Sequence, residues 1–324
     1  MSQSQLNNLT ICIPTYNRNK ELLKNVCLLD SYLKKLHLKN RCTILVSDNG
    51  STDFISIKHD LLKYDYVKLY HHEQNIGFEQ NLLFCLKQCE TKWIMLLGDD
   101  DYLFMDYICK VFDYIDNTDV GVIIPNFYPV NEKGIAIANS RDIMQPDIIY
   151  EKGTINLMFK AHQLSGLVFK KDEKMLQCYK KNVKNNVYPQ LFFIGYSLIE
   201  NKCVHILETP LKNTVIKKKN FTYTLDNLIN DFFININGLP INNEQRQMLF
   251  SEILENIFIN RACGIKSLIH PIKMNKIINS YSLQKKEKRQ LKIRYLKEFI
   301  KLPIKVIYHF LIHTYNNYKY KWRN

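Results

Sequence analysis

The chain lacks a long hydrophobic run and any regular spacing of cysteines. Nowhere do the roughly 18 to 20 consecutive apolar residues of a membrane-spanning helix occur. The first residues have neither the basic nor the apolar region of a secretory signal, so we predict no signal peptide. The nine cysteines contain no Cys-x-x-Cys pair, which argues against a disulfide framework or a zinc site and favours reduced thiols in the cytosol.

Positive charge is concentrated at one end of the chain. Residues 285–324 hold 12 Lys or Arg against two acids, a net charge of +10 out of +14 for the whole chain. Apolar side chains, namely Leu291, Tyr295, Leu296, Phe299 and Ile300, fall on one face of a predicted helix with lysines opposite. Such a helix favours binding to an anionic membrane; the alternative is a helix that folds back on the protein with a solvated lysine face. We predict no nucleic-acid partner, because no nucleic-acid-binding motif accompanies the tail.

The most informative stretch is an apolar run that ends in three carboxylates. Residues 93–97 are typical of a buried strand, and Asp99, Asp100 and Asp101 follow directly after Gly98. Adjacent acids repel unless a positive group lies between them, and Asp oxygens suit Mg²⁺ or Mn²⁺. These residues therefore predict either a divalent metal that also holds a nucleotide diphosphate, or an acidic turn that caps the next helix.

Two more polar loops follow predicted strands. The run Leu9–Ile13 leads into Pro14-Thr-Tyr-Asn-Arg18 and a helical pattern from about Lys20, and the run Cys42–Val46 ends in Ser47-Asp-Asn-Gly-Ser-Thr-Asp53. A strand, a loop and a helix in this order form half of a βαβ unit. Because the loops after parallel strands meet at one edge of the sheet, where ligands bind, the three polar loops predict one shared site.

Four motifs in order carry a family resemblance. They are Ile13-Pro-Thr-Tyr-Asn17, Val46-Ser-Asp-Asn-Gly-Ser-Thr-Asp53, Asn75-Ile-Gly-Phe-Glu-Gln-Asn81 and Gly98-Asp-Asp-Asp-Tyr-Leu103. The chain resembles family 2 glycosyltransferases of the GT-A fold, and among them bacterial O-antigen or capsule sugar transferases of the abequosyltransferase type. The resemblance implies an α/β fold with a Rossmann-like, mostly parallel sheet flanked by helices and, here, a helical basic C-terminal extension.

The resemblance also implies a division of the chain. Residues 1–215 would form the catalytic domain, with a nucleotide-sugar half at about 1–130 and an acceptor half at about 131–215. Residues 216–284 would form a helical extension, and residues 285–324 the membrane-associating tail. Elements predicted in the second half are a strand at Val120–Ile124, a short helix at Ile155–Ala161, a strand at Ser165–Phe169 and helices at Pro189–Glu200 and Glu244–Cys263.

The donor site carries over residue by residue. By resemblance, the floor beneath the nucleotide base would be formed by Pro14, Thr15, Tyr16 and Asn17, with Pro14 stiffening the loop. Asp48 would accept a hydrogen bond from the imide N–H of uracil or thymine, which favours a UDP or dTDP donor.

Three residues of the third motif would shape the loop toward the ribose and diphosphate. These are Asn75, Gly77 and Asn81, with Gly77 free to take a positive φ; for Asn81, a simple helix-surface amide is the alternative. Asp99 would bind the ribose hydroxyls or provide a second metal contact.

Within the triple aspartate, the family pattern places its metal ligand at Asp100. We expect Asp100 to bind Mn²⁺ or Mg²⁺, and Asp101 to support it. The first acid of the family pattern is replaced here by Gly98.

The catalytic base is less clearly marked than the donor site. Many family members use the Asp of a Glu-Asp pair at the start of a helix, but Tyr188 and Pro189 stand in those places. His162, close to the predicted strand at Ser165–Phe169, and Asp172 beyond that strand are the candidates.

Together the resemblance predicts a hexosyl- or deoxyhexosyltransferase that inverts the anomeric centre. The acceptor would be a lipid-linked oligosaccharide of surface polysaccharide biosynthesis, and the enzyme would be cytoplasmic and peripheral on the inner face of a bacterial cell membrane. A non-catalytic membrane-bound scaffold with the same fold is one alternative. A nucleotidyltransferase is another, although no Gly-rich loop with a catalytic Lys follows the first strand.

Overall fold

The computed structural model describes residues 8–130, 135–137, 139–214 and 225–253, together with short helical stretches between 275 and 300. The chain divides into two compact units, residues 1–220 and 221–324. This division lies close to the predicted end of the catalytic domain at residue 215, whereas a further boundary at residue 284 stays a prediction. Across the described residues, no helix is both long and apolar enough to cross a membrane.

The first unit contains an eight-stranded sheet. Its strands are β1 (Leu9–Thr15), β2 (Cys42–Asp48), β3 (Val67–His71), β4 (Trp93–Leu96), β5 (Val122–Val130), β6 (Ile148–Tyr150), β7 (Val168–Lys170) and β8 (Cys203–Thr214). They lie in the order β3-β2-β1-β4-β7-β5-β8-β6. All pairs are parallel except those of β7 with β4 and β5, and of β6 with β8. The predicted α/β fold with a mostly parallel sheet is confirmed.

Helices join the strands. In the first unit they are α1 (Asn19–Lys35), α2 (Ile55–Leu61), α3 (Phe78–Gln88), α4 (Met105–Asn117), α5 (Glu173–Asn182) and α6 (Pro189–Glu200), with 3-10 helices at Lys39–Arg41 and Ile155–Ala161. The second unit contains α7 (Leu225–Gly238) and α8 (Asn243–Glu252). The predicted helix at Glu244–Cys263 corresponds to α8, but its part beyond residue 253 lies outside the described residues, as does the tail beyond residue 300.

The core of the first unit lies between the sheet and its helices. Both β1 and β4 are buried along their whole length, as expected for strands that are covered on both faces. Leu22, Val26, Leu29 and Leu33 recur every three or four residues on α1 and are all buried in the core. This packing fixes the first turn of α1 next to the end of β1.

The strand directions bring several polar loops to one edge. The register pairs Thr15 with Asp48 and Asp48 with His71, so β1, β2 and β3 end side by side. β4 runs parallel to β1. Two successive antiparallel pairings, through β7, make β5 parallel to β4 as well. The loops after these strands therefore share the edge that the sequence predicted as the site.

The described residues between 285 and 300 differ in burial along the predicted apolar face. Leu291 and Tyr295 are buried, whereas Ile293, Leu296 and Ile300 are exposed. The predicted single apolar face is therefore partly buried and partly exposed. The side chain of Phe299 lies outside the described residues.

Candidate active site

Side chains from four neighbouring segments line the edge where the parallel strands end. They are His71 at the end of β3, Asp48 at the end of β2, Thr15 at the end of β1 and Asp99 in the loop after β4. Thr15 Oγ1 donates a 2.8 Å hydrogen bond to Asp99 Oδ2. This hydrogen bond directly connects the first and fourth sequence motifs.

Arg18 binds two of the three consecutive carboxylates. Its Nη1 atom lies 2.9 Å from Asp99 Oδ1 and 2.7 Å from Asp100 Oδ2. Burial raises the pKa of Asp99 above its ordinary value, although Arg18 and Thr15 oppose the rise. Burial alone would lower the pKa of Arg18, but the two carboxylates give it a net rise. In this structure the positive group between the acids is a guanidinium.

Sequence reasoning placed Arg18 in the first polar loop but gave it no role. The available signal was its position between β1 and α1, at the edge where the acids were already expected. A basic residue in such a loop can reach carboxylates that follow a neighbouring parallel strand.

The loop that carries the carboxylates is tied down from two sides. Ser165 Oγ donates to Asp101 Oδ2 at 2.6 Å and accepts from the Gly98 amide at 2.9 Å. From α1, Asn25 Nδ2 donates to the carbonyls of Gly98 and Asp101 at 3.1 and 2.8 Å. A Cβ atom on Gly98 would lie 3.1 Å from Asp101 Oδ2 and 3.3 Å from Ser165 Oγ. The glycine thus makes room for a bond that holds Asp101.

The three carboxylates differ in how much each can offer a metal. Asp99 is buried and bound to Thr15 and Arg18, and Asp101 is bound to Ser165, whereas the Asp100 side chain is 28% exposed. In the described part of the chain, no three His, Cys, Asp or Glu side chains are grouped to hold a metal by themselves. Mg²⁺ often takes one or two carboxylates and completes its shell with phosphates and water. The residues therefore fit a metal that Asp100 shares with a bound diphosphate.

On the other side of the site, Asp48 is completely buried. It accepts hydrogen bonds from the Ser51 amide at 2.9 Å and from Ser51 Oγ at 2.5 Å. His71 Nδ1 lies 2.7 Å from Asp48 Oδ2, and the His71 ring stacks on Phe54 with centroids 5.2 Å apart. Sequence reasoning missed His71 because β3 was not predicted.

The predicted floor residues follow one another at the end of β1. Pro14 and Thr15 are buried, whereas Tyr16 is 43% exposed. Asn17 takes a positive φ of 53°, and its amide donates to Ser51 Oγ at 2.7 Å. Tyr16 is therefore an exposed residue of this turn, directly after the end of β1.

The third motif forms the turn before α3. Asn75 Oδ1 accepts from Asn49 Nδ2 at 2.9 Å and from the Gly77 amide at 2.8 Å. Gly77 has a φ of 84°, which confirms the predicted positive φ. Asn81 is buried, with hydrogen bonds to the hydroxyl and carbonyl of Ser47 at 2.6 and 2.9 Å. The alternative of a helix-surface amide is therefore wrong for Asn81, which holds the end of β2.

Comparison with known families decides the assignment. The model described as Glycosyl transferase family 2 matches residues 10–198, which is more than half of the chain and includes all the carboxylates described above. The chain belongs to glycosyl transferase family 2.

Individual relatives of this transferase are distant. Uncharacterized glycosyltransferases of Rickettsia felis and Rickettsia conorii are both 29% identical to it, over 39% and 41% of the chain. These matches span only 20% and 22% of the lengths of those relatives. Crystal structures of S. aureus TarS without and with UDP-GlcNAc align with TM-scores of 0.62 and 0.63 at 14% identity, over 91% of this chain and 90% of that fragment. At this identity the likeness shows the fold alone, and the predicted GT-A fold is confirmed.

The two residues predicted as catalytic base lie in different places relative to the carboxylates. Asp172 caps the N-terminus of α5, where it accepts from the Lys174 amide at 2.7 Å. Because Lys170 pairs with Trp93, at the start of β4, Asp172 lies at the opposite edge of the sheet from Asp100. The prediction that Asp172 is the base is therefore wrong in this fold: the antiparallel direction of β7 carries it away from the site.

His162 lies on the same connection as Ser165, close to the start of α6. Its carbonyl oxygen accepts from Gln190 Nε2 at 2.9 Å. Its Nδ1 atom lies 3.4 Å from Arg141 Nη1. Because a guanidinium only donates, Nδ1 is the acceptor in this contact, and a neutral His162 ring carries its proton on Nε2. In this arrangement His162 presents a donor at Nε2.

A cavity of about 810 Å³ opens beyond the carboxylate loop. It lies beside the last residues of β5, the middle of β8 and the first turn of α4. Its lining comprises Phe104, Asp106, Tyr128, Asn139, Ser140, Arg141, Ile143, Met144, Thr209 and Pro210. Among these described lining residues, Asp106 is the single carboxylate. Ile143 and Met144 are largely exposed, so the cavity has an apolar rim.

Proposed function

We propose that this transferase moves a hexose or deoxyhexose from a UDP or dTDP donor to a lipid-linked glycan in bacterial surface polysaccharide synthesis. The observation that carries the proposal is the position of Asp99 and Asp100. They lie between the base side of the edge, at Asp48 and His71, and the cavity beside Asp106. Donor and acceptor would therefore meet at the carboxylates.

The donor side uses residues with complementary chemistry. Tyr16 offers a ring face to the base, and Asp99 offers acceptor oxygens to ribose hydroxyls. The Arg18 guanidinium, which already bridges two acids, suits the phosphate oxygens of a diphosphate once it leaves the carboxylates. Mn²⁺ or Mg²⁺, shared by Asp100 and the diphosphate, would supply further neutralisation of the leaving group.

The acceptor side needs a group that takes a proton from the attacking hydroxyl. We propose Asp106 for this role, because it is exposed at the cavity wall and a carboxylate accepts protons readily. His162 is the second candidate, and it would serve as a base only after its proton arrangement with Arg141 changes. Loss of turnover with retained donor binding in Asp106→Asn, but not in His162→Gln, would separate the two.

The subtype of transferase and its pathway are part of the proposal. The resemblance to O-antigen and capsule transferases of the abequosyltransferase type supports a deoxyhexose as one donor sugar. One matched TarS structure contains UDP-GlcNAc and another contains UDP, which supports a nucleotide-sugar donor here. Aromatic side chains at the cavity, Phe104 and Tyr128, suit the apolar faces of a glycan.

Membrane association at the inner face of the bacterial membrane completes the proposal. Exposed Ile293 and Leu296 are neighbours of Lys292 and Lys297 in the sequence, and Ile300 is exposed as well, which supports binding to an anionic surface. Sedimentation with vesicles tests this step. The full chain should sediment with phosphatidylglycerol vesicles and less with phosphatidylcholine vesicles, and Leu296→Asp should weaken the binding. If equal amounts of protein sedimented with both kinds of vesicle, the proposal of binding to an anionic membrane would be wrong.

The deciding experiment is thermal unfolding of the full chain with a panel of nucleotide sugars. UDP-, dTDP-, GDP- and CDP-sugars are compared with and without Mn²⁺, because a ligand that binds only the folded state raises its stability. A shift with UDP- or dTDP-sugars, strengthened by Mn²⁺ and lost in Asp100→Asn, would support the proposal. Asp60→Asn is the matched control, since Asp60 pairs with Lys63 on the surface of α2. No shift with any donor in folded protein would contradict it.

A further inference from the structure

We propose that His71 recognises the nucleotide base and that Asp48 acts through it as a positioning residue. This inference rests on the proposed function, because it concerns the base of the same donor. None of the Asp48 side chain is exposed, and its oxygens accept hydrogen bonds from Ser51 and His71. A carboxylate with these partners lies behind the surface that a base would touch.

The contact between the two residues fixes where the imidazole proton lies. The Asp48 carboxylate can only accept, so His71 Nδ1 must carry the proton of the 2.7 Å hydrogen bond. In a neutral ring, Nε2 is then an acceptor. No described residue makes a hydrogen bond to this Nε2 atom. The buried Asp48 carboxylate therefore holds the proton on Nδ1, and this leaves Nε2 of His71 as the hydrogen-bond acceptor.

The orientation of the ring is also fixed. Phe54 is buried and lies nearly parallel to the His71 ring, with an angle of 3° between the planes. One face of the imidazole is thus covered, and Nδ1 is held by Asp48. The His71 side chain as a whole is 43% exposed, so the ring remains accessible from solvent.

His71 stands at a suitable place along the edge. β3 and β1 are separated by β2, so His71 and Thr15 are two strand spacings apart, or about 10 Å. Thr15 binds Asp99, which marks the ribose and diphosphate end of the proposed site. A nucleoside can therefore extend along the edge from the carboxylates to His71.

An acceptor at this place selects among bases. Uracil and thymine carry a ring N–H between two carbonyls, and this imide N–H can donate to Nε2. Cytosine has an acceptor nitrogen at the same ring position, so two lone pairs would face each other. Because an unpaired polar contact is costly, we expect uridine or thymidine diphosphate to bind better than cytidine diphosphate.

Calorimetric titration of the full chain with UDP and CDP tests the inference. Wild-type protein should bind UDP at least about tenfold more tightly than CDP, a ratio expected when one polar contact is mismatched. His71→Phe keeps a ring on Phe54 but removes both nitrogens, so UDP binding should weaken about tenfold and the preference should disappear. The control is His72→Gln, since His72 contacts Ser47 and Phe84 instead. Retention of the UDP preference in His71→Phe would overturn the inference.

A spectroscopic measurement on unmodified protein covers the case in which His71→Phe does not fold. Nitrogen-15 NMR of the histidine rings, assigned with His71→Gln, should show a proton on Nδ1 of His71 and none on Nε2. Addition of UDP should shift Nε2, and CDP at equal concentration should not. A proton on Nε2, or a ring unchanged by bound UDP, would overturn the inference while the proposed function stands. If no nucleotide binds at all, the proposed function fails as well.

Discussion

Arg18 lies 2.7 Å from Asp100, with its Nη1 atom against the carboxylate Oδ2, and neutralises that acid in this structure. The same guanidinium nitrogen also binds Asp99. A cation from the chain and a cation from solution would then compete for Asp100. The donor diphosphate attracts both cations. By binding the Arg18 guanidinium, it would leave Asp100 available to the metal.

Arg18→Met should reveal this competition. Removing the guanidinium should tighten Mn²⁺ binding in the absence of donor by about tenfold, or about 1.4 kcal/mol, because the metal no longer displaces a charge. UDP binding without metal should weaken, since the phosphates lose a donor. Electron paramagnetic resonance of free Mn²⁺ measures the first effect. Arg41→Met, which breaks the pair with Asp116 on another part of the unit, is the control; equal or weaker Mn²⁺ binding in Arg18→Met would refute the competition.

Ser165→Ala should loosen the carboxylate loop. The hydroxyl bonds both Asp101 and the Gly98 amide, so its loss removes one hydrogen bond from each of these groups. We expect a loss of about 1–3 kcal/mol in the free energy of unfolding and a lower transfer rate. Urea unfolding measures the first quantity. Ser56→Ala, which removes an exposed hydroxyl, should change stability by less than about 0.5 kcal/mol; a similar loss in both variants would show that Ser165 has no special role.

Gly50→Ala should destabilise the protein more than Gly153→Ala. Both glycines have positive φ, at 77° and 84°, so each substitution introduces backbone strain of about 1–3 kcal/mol. At Gly50 the new Cβ would also lie 2.6 Å from the Gln74 carbonyl carbon, whereas nothing lies within 4 Å at Gly153. The difference between the two urea midpoints isolates the steric part. Equal midpoints would mean that the backbone at Gln74 can move away from the new Cβ atom without a cost in stability.

His205 should make stability depend on pH. Burial in β8 lowers the pKa of His205 from about 6.5 to about 4, with Asp142 opposing and Arg141 and Lys160 adding to the fall. The unfolded chain thus takes up a proton at higher pH than the folded chain does. The stability that depends on a neutral His205 is fully present above pH 6.5 and is lost as the pH falls toward 4. The loss in the free energy of unfolding is at most about 3 kcal/mol.

Urea unfolding at a series of pH values checks this expectation. His205→Gln should flatten the decline between pH 6.5 and 4 relative to wild type. His59→Gln, at an exposed position on α2, should follow the wild-type curve. An unchanged slope in His205→Gln would assign the decline to other groups.

Local sequence patterns were sufficient to predict several individual elements. The short helix at Ile155–Ala161 and the helix at Pro189–Glu200 have the predicted bounds, and β4 is the buried strand predicted from its apolar run. The glycine at position 77 was also predicted correctly, because a positive φ depends on the local backbone. Such features are determined within a few residues of chain.

The missed features depend on long-range pairing. β3 has a mixed burial pattern, so neither its strand nor the role of His71 was evident from hydrophobicity. Arg18 and Ser165 reach the carboxylates only because β1, β4 and β7 are neighbours in the sheet. The direction of β7 likewise decided that Asp172 lies at the other end of the strands, and a strand of only three residues carries no signal of its direction.

β7 is the last strand of the donor site to be synthesised. It fills the place between β4 and β5, and Ser165 just before it holds the carboxylate loop. During translation, the edge of β4 therefore stays unpaired until about 70 further residues have left the ribosome, and an open strand edge promotes wrong pairing. A chain stopped after residue 130 would carry all four donor motifs, yet it would lack both the strand that covers β4 and the hydroxyl that holds Asp101.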